Sequence, residues 1–315
     1  MSTPSLVPSQ RATLIGLSAV LCWSALVSLF RSVAEHLGAI GGAACVFSLS
    51  AFLVTWRFGL PRAAQLKAMH PAYVLGCGLL FVLNEIAFSL SLGWASHRGQ
   101  TLELGMINYL WPSLTLVMAT VLGLQRFRAG LVPGVLLSMA GIVLVVKGDN
   151  ALSLASLWAN VQSNPLAYAL ALCAACLWPC YSVVSKRYTQ GANALPAFLW
   201  AVAAVLWIKY ALSPEPPLRF TLPALLQLGL LSGLTALGYS CWDHGLRAGN
   251  LTVMAVGSYF TPVLSALVGT VWLQVQPSWS FWQGVLLVTL GSLVCWWYTR
   301  SPTLAHSRAA TRPEI

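Results

Sequence analysis

Apolar stretches of roughly twenty residues recur from one end of the chain to the other, and the charged and turn-forming residues gather between them. About twenty mostly apolar residues in helical geometry cross the hydrocarbon core of a bilayer. Breaking the chain at charges and turn residues predicts ten such spans, at residues 11–30, 38–56, 72–96, 101–124, 129–147, 166–185, 194–212, 222–246, 251–273 and 279–299. Residues 248–299 hold no Asp, Glu, Lys or Arg, which is too long a run for one crossing, and Gln274, Gln276 and Pro277 predict the turn that divides it. The run from Ala12 to Phe30, behind Arg11, exceeds the ~7–15 apolar residues of a signal-peptide core and reads as a retained first span. Segment 149–165 is too polar to cross, and Leu154, Leu157, Trp158 and Val161 recur at helical spacing, which predicts a short helix lying on the outer surface. Residues 301–315 lack apolar periodicity and read as a tail.

Composition agrees with a lipid-solvated chain. Of 315 residues, 58% are apolar and 8% charged, and the mean hydropathy is +0.76. Soluble domains hold about 25% charged residues. A soluble enzyme, a disordered chain and a disulfide-stapled secreted domain are excluded. The net charge of +10 would suggest nucleic acid in a soluble protein, but here the positive-inside rule accounts for it and no nucleic-acid partner is expected. With the N-terminus inside, twelve Lys and Arg fall on the inner side and five (Arg31, Arg98, Lys147, Lys209, Arg219) on the outer, so both termini are expected in the cytoplasm. Trp56, Trp279, Trp282, Trp296, Trp297 and Tyr298 lie near span ends, as an interfacial aromatic belt would. The eight cysteines all lie in apolar stretches. Cys173, Cys176 and Cys180 share helical spacing with no His or carboxylate beside them, so they read as small packing residues rather than a metal site.

The chain repeats itself. A shift of 150 residues lays Tyr109, Pro112 and Leu114 on Tyr259, Pro262 and Leu264, Gly134–Leu137 on Gly284–Leu287, and Gly141 on Gly291. A shift of 155 lays Trp23 on Trp178 and Arg31 on Lys186. The fold class expected is therefore an all-α membrane protein of ten transmembrane helices. Its domains are two five-helix repeats, 1–148 and 166–300, with 149–165 as linker and 301–315 as cytoplasmic tail. An odd number of spans per half inverts the second half in the bilayer. In such a 5+5 inverted-topology repeat, exchanging the halves' conformations opens the molecule to the opposite side, which is alternating access.

Several residues could carry chemistry. Pro112 and Pro262 stand at matched depth, where a helix-interior proline kinks the helix and frees the carbonyl four residues earlier, here Asn108 and Ser258. A tolerated kink packed against neighbours is the alternative. Glu85 lies mid-span beside Asn84 and one turn from Phe88. A charge there costs about 2.5–3.5 kcal/mol, so Glu85 could bind a substrate ammonium, carry a proton, or be protonated within the bundle. Glu103 lies near the outer start of its span and reads as interfacial or functional. Asp243 and His244, with Arg247, lie near an inner span end and form a possible inner gate or a plain interfacial cluster. Trp23, Trp178, Tyr109, Trp111, Tyr239, Trp242 and Tyr259 lie deep in their spans and would line a cavity for a flat aromatic side chain, with an indole face available to an ammonium. The paired glycines Gly134, Gly141, Gly284 and Gly291 read as close helix packing. No zinc-protease, P-loop or serine-hydrolase signature occurs, so neither an enzyme nor a self-sufficient ATP-driven pump is expected, and no cofactor or metal is called for.

With these features the sequence resembles the drug/metabolite transporter superfamily of EamA type, and within it the YddG-type aromatic amino acid exporters of bacterial inner membranes. The stretches carrying the resemblance are Asn108–Leu114 and Met254–Leu264, supported by Ala12–Leu17 and Phe281–Gly284, and it extends over residues 11–300. The resemblance implies a 5+5 fold with a central cavity built from spans 1, 3, 4, 6, 8 and 9. It also implies export of Phe, Tyr, Trp and other neutral amino acids, with the substrate and the lipid bilayer as partners. In such members a Tyr often precedes the span-3 Glu, whereas here Asn84 makes that point more polar. The expected substrate-binding set is Trp23, Asn84, Glu85, Phe88, Asn108, Tyr109, Trp111, Trp178, Tyr239, Trp242, Ser258 and Tyr259. A multidrug exporter of cationic aromatics on the same fold and a non-transporting receptor or scaffold are the alternatives.

Overall fold

A computed structural model of the chain describes residues 10–121, 129–147, 154–189, 192–249, 254 and 257–299. All regular secondary structure among the described residues is helical. In chain order the helices are α1 (Gln10–Leu37), α2 (Ala39–Phe58), α3 (Ala63–Ala68), α4 (Gly78–Gly93, entered through a π-helical turn at Ala72–Cys77), α5 (Arg98–Asn108) and α6 (Trp111–Val121). There follow α7 (Leu131–Lys147), α8 (Leu154–Gln162), α9 (Pro165–Tyr188), α10 (Leu195–Ala211), α11 (Leu222–Ala248), α12 (Thr261–Leu273) and α13 (Trp279–Thr299). Six helices, counting the π-turn with α4, are long and apolar enough to cross a membrane among the described residues, and α7, α10 and α12 are shorter apolar helices. The chain is an all-α, multi-pass membrane protein.

Local chemistry sets the helix limits. Asn164 caps α9 by accepting from the Ala167 amide, and Thr221 caps α11 by accepting from the Ala224 amide. Each helix then carries a proline in its first turn, where no N–H is needed. Glu215, on the connection between α10 and α11, accepts from the Ile40 and Gly41 amides at 2.9 Å and places a carboxylate on the positive end of α2. Gly38 makes this possible: its φ is +80°, and a Cβ there would lie 2.6 Å from a Glu215 oxygen. Gln274 ends α12 in the left-handed conformation, at the turn that the sequence places there.

The core runs around α1, which touches α2, α4, α5, α11 and α12. On the flank α7 packs on α13 through the paired glycines. A Cβ on Gly141 would stand 2.6 Å from the Gly284 carbonyl, and one on Gly134 2.8 Å from that of Gly291, so only glycine permits this approach. Ser113 joins the same seam, within 3.1 Å of Ser138 and 3.2 Å of Ser292. At the end of α1, Glu35 pairs with Arg31 at 2.9 Å and Arg98 at 2.7 Å, and Arg98 also reaches the Leu273 carbonyl, tying α1 to α5 and α12. The outer face is apolar: Leu14, Leu75, Leu136, Ile208, Leu226 and Val271 are exposed, which a protein tolerates only against lipid. Trp56, Trp279, Trp297 and Tyr298 of the anticipated aromatic belt are exposed as well.

Three sequence-based expectations change. The first helix does not stop at the charge of Arg31 but continues to Leu37, because Arg31 finds Glu35 one turn on. Pro112 and Pro262 do not kink continuous helices: each lies in the first turn of a new helix, after a two-residue interruption at Tyr109–Leu110 and at Tyr259–Phe260. Cys173 and Cys176 are exposed and Cys180 is half-buried, rather than packed inside, since a small apolar side chain in lipid gains little from burial. Among the described residues no group of His, Cys, Asp and Glu could hold a metal. The tail 301–315, the linker start 149–153, residues 122–124 and 251–253, and the Arg247 side chain lie outside the described residues.

Candidate functional site

Helical spacing gathers the site. On α4, Phe81, Glu85 and Phe88 recur three and four apart and share a face with Asn84, which turns them together toward α1, α9 and α11. On α1, Trp23 and Leu26 are one turn apart. Trp178 comes from α9 and Tyr239 from α11, while Asn108, Tyr109 and Trp111 come from the interruption between α5 and α6. Together with Thr261 at the start of α12, these groups line a cavity with about 520 Å³ of empty space, including its open part.

Its wall is largely aromatic. Trp23 stands edge-on to Trp178 at 6.2 Å and to Tyr239 at 5.9 Å, and Trp111 meets Trp178 at 6.4 Å. Behind them, Phe81 contacts Tyr239 at 5.5 Å and Tyr181 at 5.4 Å. The polar groups converge on Glu85, which is 4% exposed. The Tyr239 hydroxyl and the Asn84 amide nitrogen, the latter at 3.0 Å, both donate to its Oε1. Buried carboxylates survive only with such donors.

Nine of the twelve anticipated binding residues line this cavity: Trp23, Asn84, Glu85, Phe88, Asn108, Tyr109, Trp111, Trp178 and Tyr239. The other three do not. Trp242 touches Trp23 with its ring tilted, at 4.9 Å, but is not part of the lining. Ser258 and Tyr259 are buried at the second interruption, and the Ser258 carbonyl accepts from the Thr261 hydroxyl at 2.6 Å. Asp243 is half-buried and His244 exposed, both away from the lining. Glu103 accepts from the Tyr168 hydroxyl at 2.6 Å, again outside the cavity. Sequence reasoning missed Leu26 and Thr261. Leu26 is one turn beyond Trp23, and Thr261 is the residue that a shift of 150 lays on Trp111, so both carried a legible signal.

Comparison with known proteins extends this picture. Residues 165–297 match the EamA-like transporter family. The chain is 43% identical to the aromatic amino acid exporter YddG of Escherichia coli, across 92% of this chain and 98% of that protein. The exporter of the same name from Salmonella typhimurium is 42% identical, across 93% and 99%. The one from Ancylobacter novellus is 30% identical, across 81% and 86%. A crystal structure 27% identical in sequence superposes with a TM-score of 0.64, covering 95% of this chain and 99% of the other.

Proposed function

The chain belongs to the family of these exporters, among the EamA-like transporters, and on that premise we propose that it exports aromatic amino acids across the bacterial inner membrane by alternating access. It is a secondary transporter rather than an enzyme. The observation that carries the substrate class is the cavity lining: three tryptophan and two tyrosine rings, with a buried carboxylate and two asparagines among them. Such rings offer faces and edges to a planar side chain, and the polar corner suits an amino acid's charged end.

We read the helices as ten spans. The α5–α6 pair is one interrupted span, and residues 251–273 form another, ending in α12. The 17-residue helices α7 and α10 come to about 26 Å each at ~1.5 Å per residue, close to the hydrocarbon thickness. Matched interruptions at Pro112 and Pro262 support two inverted halves, residues 1–148 and 166–300, joined by the linker 149–165. Twelve cations against five support cytoplasmic termini. In alternating access the halves rock about the cavity while its lining keeps hold of the substrate. Aromatic walls hold the ring, Asn108 and the Glu85 corner hold the polar end, and Asp243 and His244, near the end of α11, are read as an inner gate.

The experiment is tryptophan counterflow in proteoliposomes, with phenylalanine and a quaternary aromatic amine as competitors. Export of aromatic amino acids predicts flux that phenylalanine suppresses. Absence of tryptophan flux, with transport of the amine instead, would replace this substrate class by cationic aromatics on the same fold.

A further inference from the structure

Two acceptor oxygens at the polar corner of the cavity lack a donor within the protein, and the Trp23 indole N–H is the unpartnered donor beside them. The Asn84 side chain is 6% exposed, and its Oδ1 has no partner. Its orientation is set by chemistry: the amide nitrogen donates to Glu85 Oε1, and turning the amide over would set a carbonyl oxygen against a carboxylate oxygen. Glu85 is equally lopsided. The donors from Asn84 and Tyr239 both fall on Oε1, which leaves Oε2 to whatever occupies the cavity. These two acceptor oxygens belong to adjacent residues of one helix, both of which line the cavity. Leaving a buried acceptor unmade costs about 1–3 kcal/mol, which a ligand recovers if it brings donors.

We propose that Asn84 Oδ1 and Glu85 Oε2 form a subsite for a primary ammonium group, and so fix which end of the substrate faces α4. A primary ammonium carries three donors and a positive charge, enough for both oxygens and for the charge of Glu85. A carboxylate set against these two oxygens would meet two acceptors and a like charge, and could pair only with the Trp23 indole N–H to one side. The indole of Trp23 and the ring of Tyr239 border the same corner and favour a cation further. Asn84 thereby acts as a specificity-determining residue: it requires N–H donors, which an aromatic cage alone does not. For an amino acid substrate this is the α-ammonium, so the inference rests on the proposed function for the identity of the substrate but not for the binding of the group.

The test is isothermal titration calorimetry on the purified full-length protein with three ligands sharing one indole: tryptamine, N,N,N-trimethyltryptammonium and indole-3-propionate. Tryptamine should bind at least about tenfold more tightly than either of the others, a difference of about 1.4 kcal/mol. Asn84→Leu, similar in volume but without the oxygen, should weaken tryptamine about tenfold and leave indole-3-propionate unchanged. Equal binding of tryptamine and its trimethylated form would overturn the subsite and assign the cation to the rings alone. Equal binding of indole-3-propionate would overturn it too, leaving the two oxygens to water. The wild-type ligand series decides the matter even if Asn84→Leu does not fold. Because it reads binding and not flux, loss of the subsite and loss of the transport reading are separate outcomes.

Discussion

The two proline interruptions are the same device with different residues in it. A shift of 150 lays Asn108 on Ser258, Tyr109 on Tyr259 and Trp111 on Thr261. Both chains of atoms stop being helical for two residues and restart with proline in the first turn. At the first interruption Asn108, Tyr109 and Trp111 all line the cavity. At the second, Ser258 and Tyr259 are buried, and Thr261 turns its hydroxyl back onto the Ser258 carbonyl. Only the side of Thr261 remains in the lining. A broken helix therefore does not by itself make a binding surface. It frees backbone groups, and the neighbouring side chains decide whether these face a ligand or are closed locally.

The largest effect should come from the open interruption. Trp111→Ala removes a ring from the wall and one side of the contact with Trp178, and Asn108→Leu removes the polar group beside it. Tryptophan counterflow should fall at least about tenfold in each, the equivalent of ~1.4 kcal/mol, with normal amounts of folded protein in the membrane. Near-normal flux in both would mean that the two interruptions are alike after all, and that the cavity wall is packing.

The sequence revealed the spans better than the interruptions. A bilayer imposes one length and one kind of surface, so apolar runs such as 38–56 and 279–299 map onto α2 and α13 within two residues at each end. Proline is more ambiguous. Whether it bends a helix or ends one depends on what fills the gap, and buried Tyr109 and Tyr259 do that through contacts distant in sequence. The site was legible where one helix carries several members, as α4 does with Asn84, Glu85 and Phe88. It was not legible where a residue's exposure depends on how its helix is rotated. That is why Ser258 and Tyr259, matched to Asn108 and Tyr109 by every local measure, stand outside the cavity. Phe81 and Tyr181, by contrast, follow from counting one turn away from Glu85 and Trp178.

A smaller effect, on stability, should separate the interruptions from the other side. Thr261→Val keeps the shape and removes the hydroxyl that holds the Ser258 carbonyl. An acceptor left buried and unmade costs about 1–3 kcal/mol, so the detergent-solubilised protein should melt at lower temperature. Flux per folded molecule should change less than in Asn108→Leu. If Thr261→Val instead leaves melting unchanged and abolishes flux, the second interruption is a binding surface in its own right.

The smallest effect should belong to the prolines themselves. Each stands in the first turn of its helix, where the missing N–H removes no bond that the helix requires. Pro262→Ala restores freedom to the unfolded chain and should cost about 0.4–1 kcal/mol on that account. The new N–H would also compete with the Thr261 hydroxyl for the Ser258 carbonyl, which is already held at 2.6 Å, so the interruption should persist. Pro112→Ala differs in one respect: position 111 there is a tryptophan, with no hydroxyl to hold the Asn108 carbonyl. The new N–H at position 112 could then close onto Asn108 and draw α5 and α6 into one helix, rotating Trp111 relative to Asn108. Thermal melting of the pair, read beside counterflow, distinguishes the cases. Equal small shifts with retained flux mean that buried Tyr109 and Tyr259 hold the interruptions open. Loss of flux in Pro112→Ala alone means that proline keeps the first interruption open, whereas the second is kept by the threonine beside it.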